Sequence, residues 1–223
     1  MRSSATNALH SGISRAISRE ALAGLPIRRY EGDVRLVATA ADLEHALADF
    51  RQETVVGFDT ETRPAFRKGE FYLPCLVQAA TARAVYLFQL RRPEVFPVIA
   101  ELLESQSVVK AGVSLADDLR PLRAVFSFME KNMVDLGSVA RRAGLKQTGV
   151  RNLAGILLGF RIPKGTKTSN WAVHDLSPAQ ITYAATDAWA CRELYLRFQS
   201  LGLLRTFDGH PDAVRSGCTL SGD

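Results

Sequence analysis

From Arg35 onward, apolar and polar positions recur with periods that mark regular elements. A short strand is predicted around Arg35 to Val37. A helix follows near Ala41 to Phe50, with Leu43, Leu47 and Phe50 at helical spacing. Thr54 to Glu61, Leu73 to Ala79 and Ala84 to Leu90 are short, β-branched runs separated by turn-like or charged residues, and the last two read as a meander. A helix near Glu94 to Leu103 leads into a strand at Val108 to Val113, after which the pattern is helical to about Leu201. The sum is an α/β domain. Its longest expected loop, Arg161 to Leu176, lies between two helices, where loops of that length are often functional.

Before that pattern the chain is irregular, so three parts are expected: an extension over residues 1–30, a domain over 31–205 and a tail over 206–223. Within the extension, a short helix with Ile13, Ile17 and Leu22 on one face is stopped by Gly24-Leu25-Pro26. Its arginines and serines, with Glu20 as the one acid, also match the composition of a mitochondrial transit peptide. The three cysteines Cys75, Cys191 and Cys218 are widely spaced, which suits a reducing compartment and supports neither a disulfide framework nor a zinc site. No apolar run approaches the ~18 residues of a membrane helix. A cytoplasmic protein with no membrane partner is the expectation. The formal charge of +5 favours a polyanionic partner without specifying one.

The chemistry concentrates in three places. Thr54 to Phe58 reads as a buried strand, and the strand period of two puts Asp59 and Glu61, just beyond it, on one side of the sheet. Adjacent carboxylates repel unless a cation or proton lies between them. The segment Leu115 to Met129 carries a helical stripe of Leu115, Leu119, Leu122, Phe126 and Met129. At ~100° per residue, Asp118 lies about 60° from the centre of that stripe and Asp117 almost opposite, so Asp118 faces inward and Asp117 suits the helix dipole from outside. Tyr183 and Asp187 share one face of a helix capped by Ser177 and begun by Pro178. That face continues through Cys191, Leu194 and Phe198. A carboxylate on such an apolar stripe costs several kcal/mol unless it is paired or bound to metal. Two hard divalent cations need carboxylate oxygens converging in this way.

Three motifs, FDTET at Phe58 to Thr62, KAGVSLADDL at Lys110 to Leu119 and SNWAVHDLSPAQITYAATDAWACRELY at Ser169 to Tyr195, resemble those of the DEDD superfamily of 3′-to-5′ exonucleases. The resemblance spans roughly Leu36 to Phe198 and is to the tyrosine subgroup, which includes ribonuclease D and the exonuclease domain of the Werner syndrome protein. The histidine subgroup places His five residues before its last Asp, where this chain has Thr182. The resemblance implies a ribonuclease-H-like fold with a five-stranded mixed sheet between helices. It also implies two divalent cations, Mg²⁺ or Mn²⁺, held by Asp59, Glu61, Asp118 and Asp187, with Asp59 bridging both and Tyr183 orienting the attacking water. A phenol with an ordinary pKa near ~10 is a poor base at neutral pH, so positioning is the role expected of it.

The expected activity is hydrolysis of the 3′-terminal phosphodiester of RNA or DNA with release of nucleoside 5′-monophosphates, on a single-stranded 3′ end or a short oligonucleotide. Relatives of ribonuclease D often add helical nucleic-acid-binding domains. Only Gln199 to Asp223 follow the match, so grip is expected from the domain itself or from oligomerisation. Candidates for substrate contact are Arg63 and Phe66 beside the first motif, and Lys167, Asn170 and Trp171 around the start of the last, with Trp171 better suited to packing than to stacking on a base. Two other classes fit less of the sequence: a non-catalytic nucleic-acid-binding protein on this fold, which has no need of the four acids, and a two-metal phosphatase of small nucleotides, indifferent to oligonucleotide length.

Overall fold

A computed structural model of the chain describes residues 12–67, 69–164 and 169–204. The expected 206–223 tail and Lys167 lie outside the described residues. Six strands form one mixed sheet in the order β1-β4-β3-β2-β5-β6. They are β1 (Asp33–Leu36), β2 (Val55–Thr62), β3 (Pro74–Ala80), β4 (Ala84–Gln89), β5 (Val109–Gly112) and β6 (Met133–Asp135). β2 is antiparallel to β3 and parallel to β5; β3 is antiparallel to β4, and the edge strands β1 and β6 pair in parallel.

The five-stranded expectation is corrected by β6. This three-residue strand, paired to β5 through Ala111 and Val134, is too short to show alternation inside a stretch that otherwise reads as helical. The α/β class stands. The described helices are α1 (Arg19–Gly24), α2 (Ala40–Gln52), α3 (Phe96–Glu104), α4 (Leu115–Leu122), α5 (Leu136–Arg142), α6 (Val150–Leu153) and α7 (Pro178–Ser200), with a π-helical turn at Ala154–Leu158. The expected reach of the fourth helix to Met129 is also corrected: α4 stops at Leu122, one residue after Pro121, whose ring removes a helix N–H. Phe126 instead stacks on Phe96 at 4.9 Å, and Met129 is exposed.

Residue parity sorts the two faces of the sheet. Val56, Phe58, Val77, Ala79, Tyr86 and Phe88 point to the face covered by α2, α3 and α4. Val55, Leu76, Ala80, Val85 and Leu87 point to the other face, where α5 and α7 pack. Since Gly57, Asp59 and Glu61 share the parity of Val55, they lie on the α7 face. The start of α7 is well specified: the Ser177 hydroxyl accepts from the Gln180 backbone N–H, the Gln180 side-chain oxygen accepts from the Ser177 backbone N–H, and Pro178 sits in the first turn.

Ahead of the domain, residues 13–30 run along its surface. α1 is capped by Ser18 and ends at Gly24, so Ile13 and Ile17 precede the helix and do not form its face. Both still pack inward: Ile13 joins the cluster under α5 and α7, and Ile17 and Leu22 approach Gly155.

Candidate functional site

The site forms where β2 emerges from the core beside α7 and α4. Its first determinant is a missing side chain. A Cβ on Gly57 would stand 2.0 Å from the Ala188 carbonyl oxygen and 2.7 Å from the Arg192 backbone nitrogen, so the two backbones approach as closely as they do only because position 57 is glycine. One strand step beyond Gly57 is Asp59, and one residue before Ala188 is Asp187. Close contact at one point of the crossing therefore brings their carboxylates together at the next. Carboxylate oxygens of Asp59, Glu61 and Asp187 lie within 4.8 Å of one another.

Asp118 reaches the same region from α4, outside that triad. Thr60, pointing to the opposite face from its neighbours, donates its hydroxyl to Asp118 at 2.6 Å. A second glycine permits this approach. A Cβ on Gly112 would meet the Phe58 carbonyl oxygen at 2.6 Å and the Leu115 side chain at 2.4 Å. Asp135, at the end of β6, then fixes the start of α4 by accepting from the Leu115 backbone N–H at 2.9 Å, and it caps α5 by accepting from Ser138 at 2.7 Å. Asp118 is partly buried and Asp117 exposed, as the helical stripe predicts.

The carboxylates sit under strain of charge. Burial and then the neighbouring Asp118, Asp187 and Glu61 push the Asp59 carboxyl well above the usual carboxylate range. Burial raises Asp118 to about 6 against the pull of its Thr60 hydrogen bond. Burial likewise raises Asp187 to about 6, opposed by the Tyr183 phenol and by the Arg151 guanidinium. Oδ1 of Asp187 is buried and without a hydrogen-bond partner. Such a cluster is stable as anions only with added positive charge. Oxygen-only donors, mutual repulsion and an unpartnered buried oxygen fit a hard divalent cation.

Tyr183 lies one helical turn before Asp187, as the i, i+4 spacing predicts. Burial, followed by the charge of Asp187, raises its phenol above the ordinary tyrosine value, so it is a neutral donor throughout the physiological range. The ring is backed by Trp171 at a centroid distance of 6.0 Å.

Trp171 needs correcting as a base-stacking candidate: it is 1% exposed and packs among Leu76, Leu176 and Ala184, where it walls in Tyr183. Asn170 is exposed but tied locally, accepting from the Ala172 backbone through its side chain and from Gln180 through its carbonyl. Arg63 lies over the Tyr72 ring at 4.7 Å. Phe66 is 78% exposed. Neither is drawn into the carboxylate cluster. Arg161 turns its guanidinium to the Leu25 carbonyl at 3.1 Å. The sequence did not single out Thr60, Asp135, Gly57 or Gly112. A glycine inside an otherwise apolar strand was the available signal for the last two.

The family model described as 3′-5′ exonuclease matches residues 34–202. The chain is 32% identical over 183 residues to a ribonuclease D of Gluconacetobacter diazotrophicus, covering 80% of this chain and 44% of that protein. It is 31% identical over 189 residues to the mouse bifunctional 3′-5′ exonuclease/ATP-dependent helicase WRN, covering 80% of this chain and 13% of the relative. The chain thus corresponds to less than half the length of either. Among solved structures, the exonuclease domain of Aedes aegypti Nibbler superposes with a TM-score of 0.69 at 22% identity, covering 81% of this chain and 94% of that one. With the family's pattern matched along most of its length, the chain belongs to the hydrolytic 3′-5′ exonucleases related to ribonuclease D.

Proposed function

We propose that the protein hydrolyses the 3′-terminal phosphodiester of RNA or DNA with two divalent cations, Mg²⁺ or Mn²⁺, releasing nucleoside 5′-monophosphates. The observation that carries this reading is the gathering of three carboxylates within 4.8 Å at a strand end, with Asp118 beside them and a phenol on the same helical face as Asp187. Asp59, Glu61 and Asp187 would hold one ion, and Asp59 with Asp118 the other. Bound there, the ions supply an activated water and stabilise charge on the leaving oxygen.

The chain's own groups do the positioning. Thr60 keeps one oxygen of Asp118 engaged, which fixes how the other is presented. Tyr183 keeps its proton at neutral pH, so its hydroxyl would orient an oxygen near Asp187 by hydrogen bonding and not act as its base. Trp171 packs against the phenol ring at a centroid distance of 6.0 Å.

Digestion of 5′-labelled RNA and DNA of graded length, with either ion, tests the proposal. Stepwise shortening from the 3′ end with release of 5′-monophosphates is expected, lost on chelation. In the same assay Asp118→Asn should be severe and Asp117→Asn mild. Internal cleavage, or turnover of mononucleotide phosphates independent of chain length, would overturn it.

A further inference from the structure

Residues 13–30 precede the span that matches the family, yet they are stitched to the domain at both ends. Near the start, the Lys146 N–H donates to the Arg15 carbonyl at 2.8 Å, and the Gln147 amide exchanges two hydrogen bonds with the Ile17 backbone at 2.9 and 3.1 Å. Near the end, the Arg161 N–H donates to Pro26 at 2.9 Å and its carbonyl accepts from Arg28 at 3.0 Å. The Tyr30 N–H donates to the Thr186 hydroxyl at 3.1 Å. Between these points the domain is shaped to receive the arm: a Cβ on Gly155 would collide with Leu22 at 2.6 Å.

This seating puts arm residues at the mouth of the carboxylate site. A cleft of about 590 Å³ is lined by Tyr183 and Asp187 of the site together with Ile17, Ser18 and Arg19 of the arm and by Arg151 and Lys164. A second cleft, of about 550 Å³, shares Tyr183 and Lys164 and is reached by Arg29 from the far end of the arm. Both volumes are within the usual range for ligand sites. Among the described residues, Arg19, Arg29, Arg151 and Lys164 form no salt bridge. Arg19, the first residue of α1, is solvent-exposed. Arg151 donates to the Ile162 carbonyl at 3.2 Å and faces Asp187, so its charge is held at the cluster without a carboxylate of its own. Cations placed in this way suit a ligand that carries its own negative charges along a chain.

We infer that the arm is a substrate-binding element, in which Arg19, with Arg151 and Lys164, takes the backbone phosphates of the strand whose 3′ end lies at Tyr183 and Asp187. This rests on the exonuclease reading and adds to it a residue outside the part of the chain that matches the family. The mechanics are electrostatic. A phosphate contact releases condensed counterions, so each cation contributes a definite share of the salt dependence of binding.

Binding of a fluorescent oligonucleotide to full-length protein, in the Asp59→Asn background to prevent cleavage, is measured by anisotropy at graded salt. Arg19→Gln should weaken binding by roughly tenfold and lower the slope of log affinity against log salt by about one. Arg19→Lys should restore most of both. In the active protein Arg19→Gln should raise KM with kcat little changed. Since Arg19 is exposed, its loss should leave the melting temperature as it was. If wild type degrades oligonucleotides and Arg19→Gln matches it in affinity and salt slope, the arm is only packing and the inference falls alone. If wild type neither binds nor degrades them, the exonuclease reading falls and the inference with it.

Discussion

The contact between β2 and α7 is charged at both ends, and the two ends are built on opposite principles. Just before β2, Glu53 meets Arg192 of α7 at 3.4 Å, with side chains 11% and 14% exposed, and Glu53 also accepts from the Ala82 backbone at 2.6 Å. Beyond the crossing, Asp59, Glu61 and Asp187 gather within 4.8 Å, and among the described residues neither aspartate has a salt bridge. One end therefore pairs its carboxylate with a cation inside the fold, leaving only Arg192 Nε without a partner, and the other leaves its aspartates to be balanced from outside. A fold that needed only stability would have treated both alike. The unbalanced end is where binding and chemistry are available.

The largest effect expected from breaking this contrast is at the unbalanced end. Asp59→Asn removes a charge from the centre of the cluster, and turnover should fall by roughly 10³ or more. Without metal, the variant should melt no lower than wild type, because repulsion has been relieved. Retention of a tenth of wild-type activity would sink the assignment of Asp59 to the metals. Next in size is Tyr183→Phe, which preserves the ring against Trp171 and removes the hydroxyl. Single-turnover rates should drop by roughly 10² to 10⁴, while calorimetric Mn²⁺ titration stays close to wild type. Metal binding lost along with the rate would instead make the tyrosine part of the ligand set.

At the balanced end the readout is stability. Arg192→Leu leaves Glu53 without its cation and should cost about 3 kcal/mol in urea unfolding. Adding Glu53→Leu should recover part of that loss. A single variant as stable as wild type would show that the pair is not a closed unit.

A smaller effect follows from pH. Asp118 and Asp187 are raised to about 6, above their unfolded values near ~3.9, so their contribution is fully present below about pH 4 and is lost as pH rises through 6. In chelator, the melting temperature should fall between pH 4.5 and 7 by roughly 5 °C. Mn²⁺ should remove most of that decline at pH 7. A flat profile in chelator would mean that burial does not hold these two carboxyls protonated in the folded protein.

Much of this arrangement was legible in the sequence because it is local. Period two placed Asp59 and Glu61 on one face, period 3.6 separated Asp118 from Asp117, and a cap at Ser177 set the register that joins Tyr183 to Asp187. What escaped has partners far along the chain. Asp135 bonds Leu115 across a turn of the fold, Gln147 bonds Ile17 over 130 residues, and β6 exists only because β5 lies beside it. Periodicity records which way a side chain points from its own backbone. It does not record what arrives from elsewhere, which is why Trp171, though better suited to packing, stayed a candidate for stacking on a base until its neighbours were known.

Gly57 shows where the information for the site resides. The approach it permits is between main-chain atoms, which have no rotamers through which to yield, so an alanine there would act as a wedge driven between Asp59 and Asp187 without altering either. A position that touches no ion and presents no functional group thus sets the ruler by which the carboxylates are spaced. Mutational tolerance at 57 is bound to that of the acids it brings together.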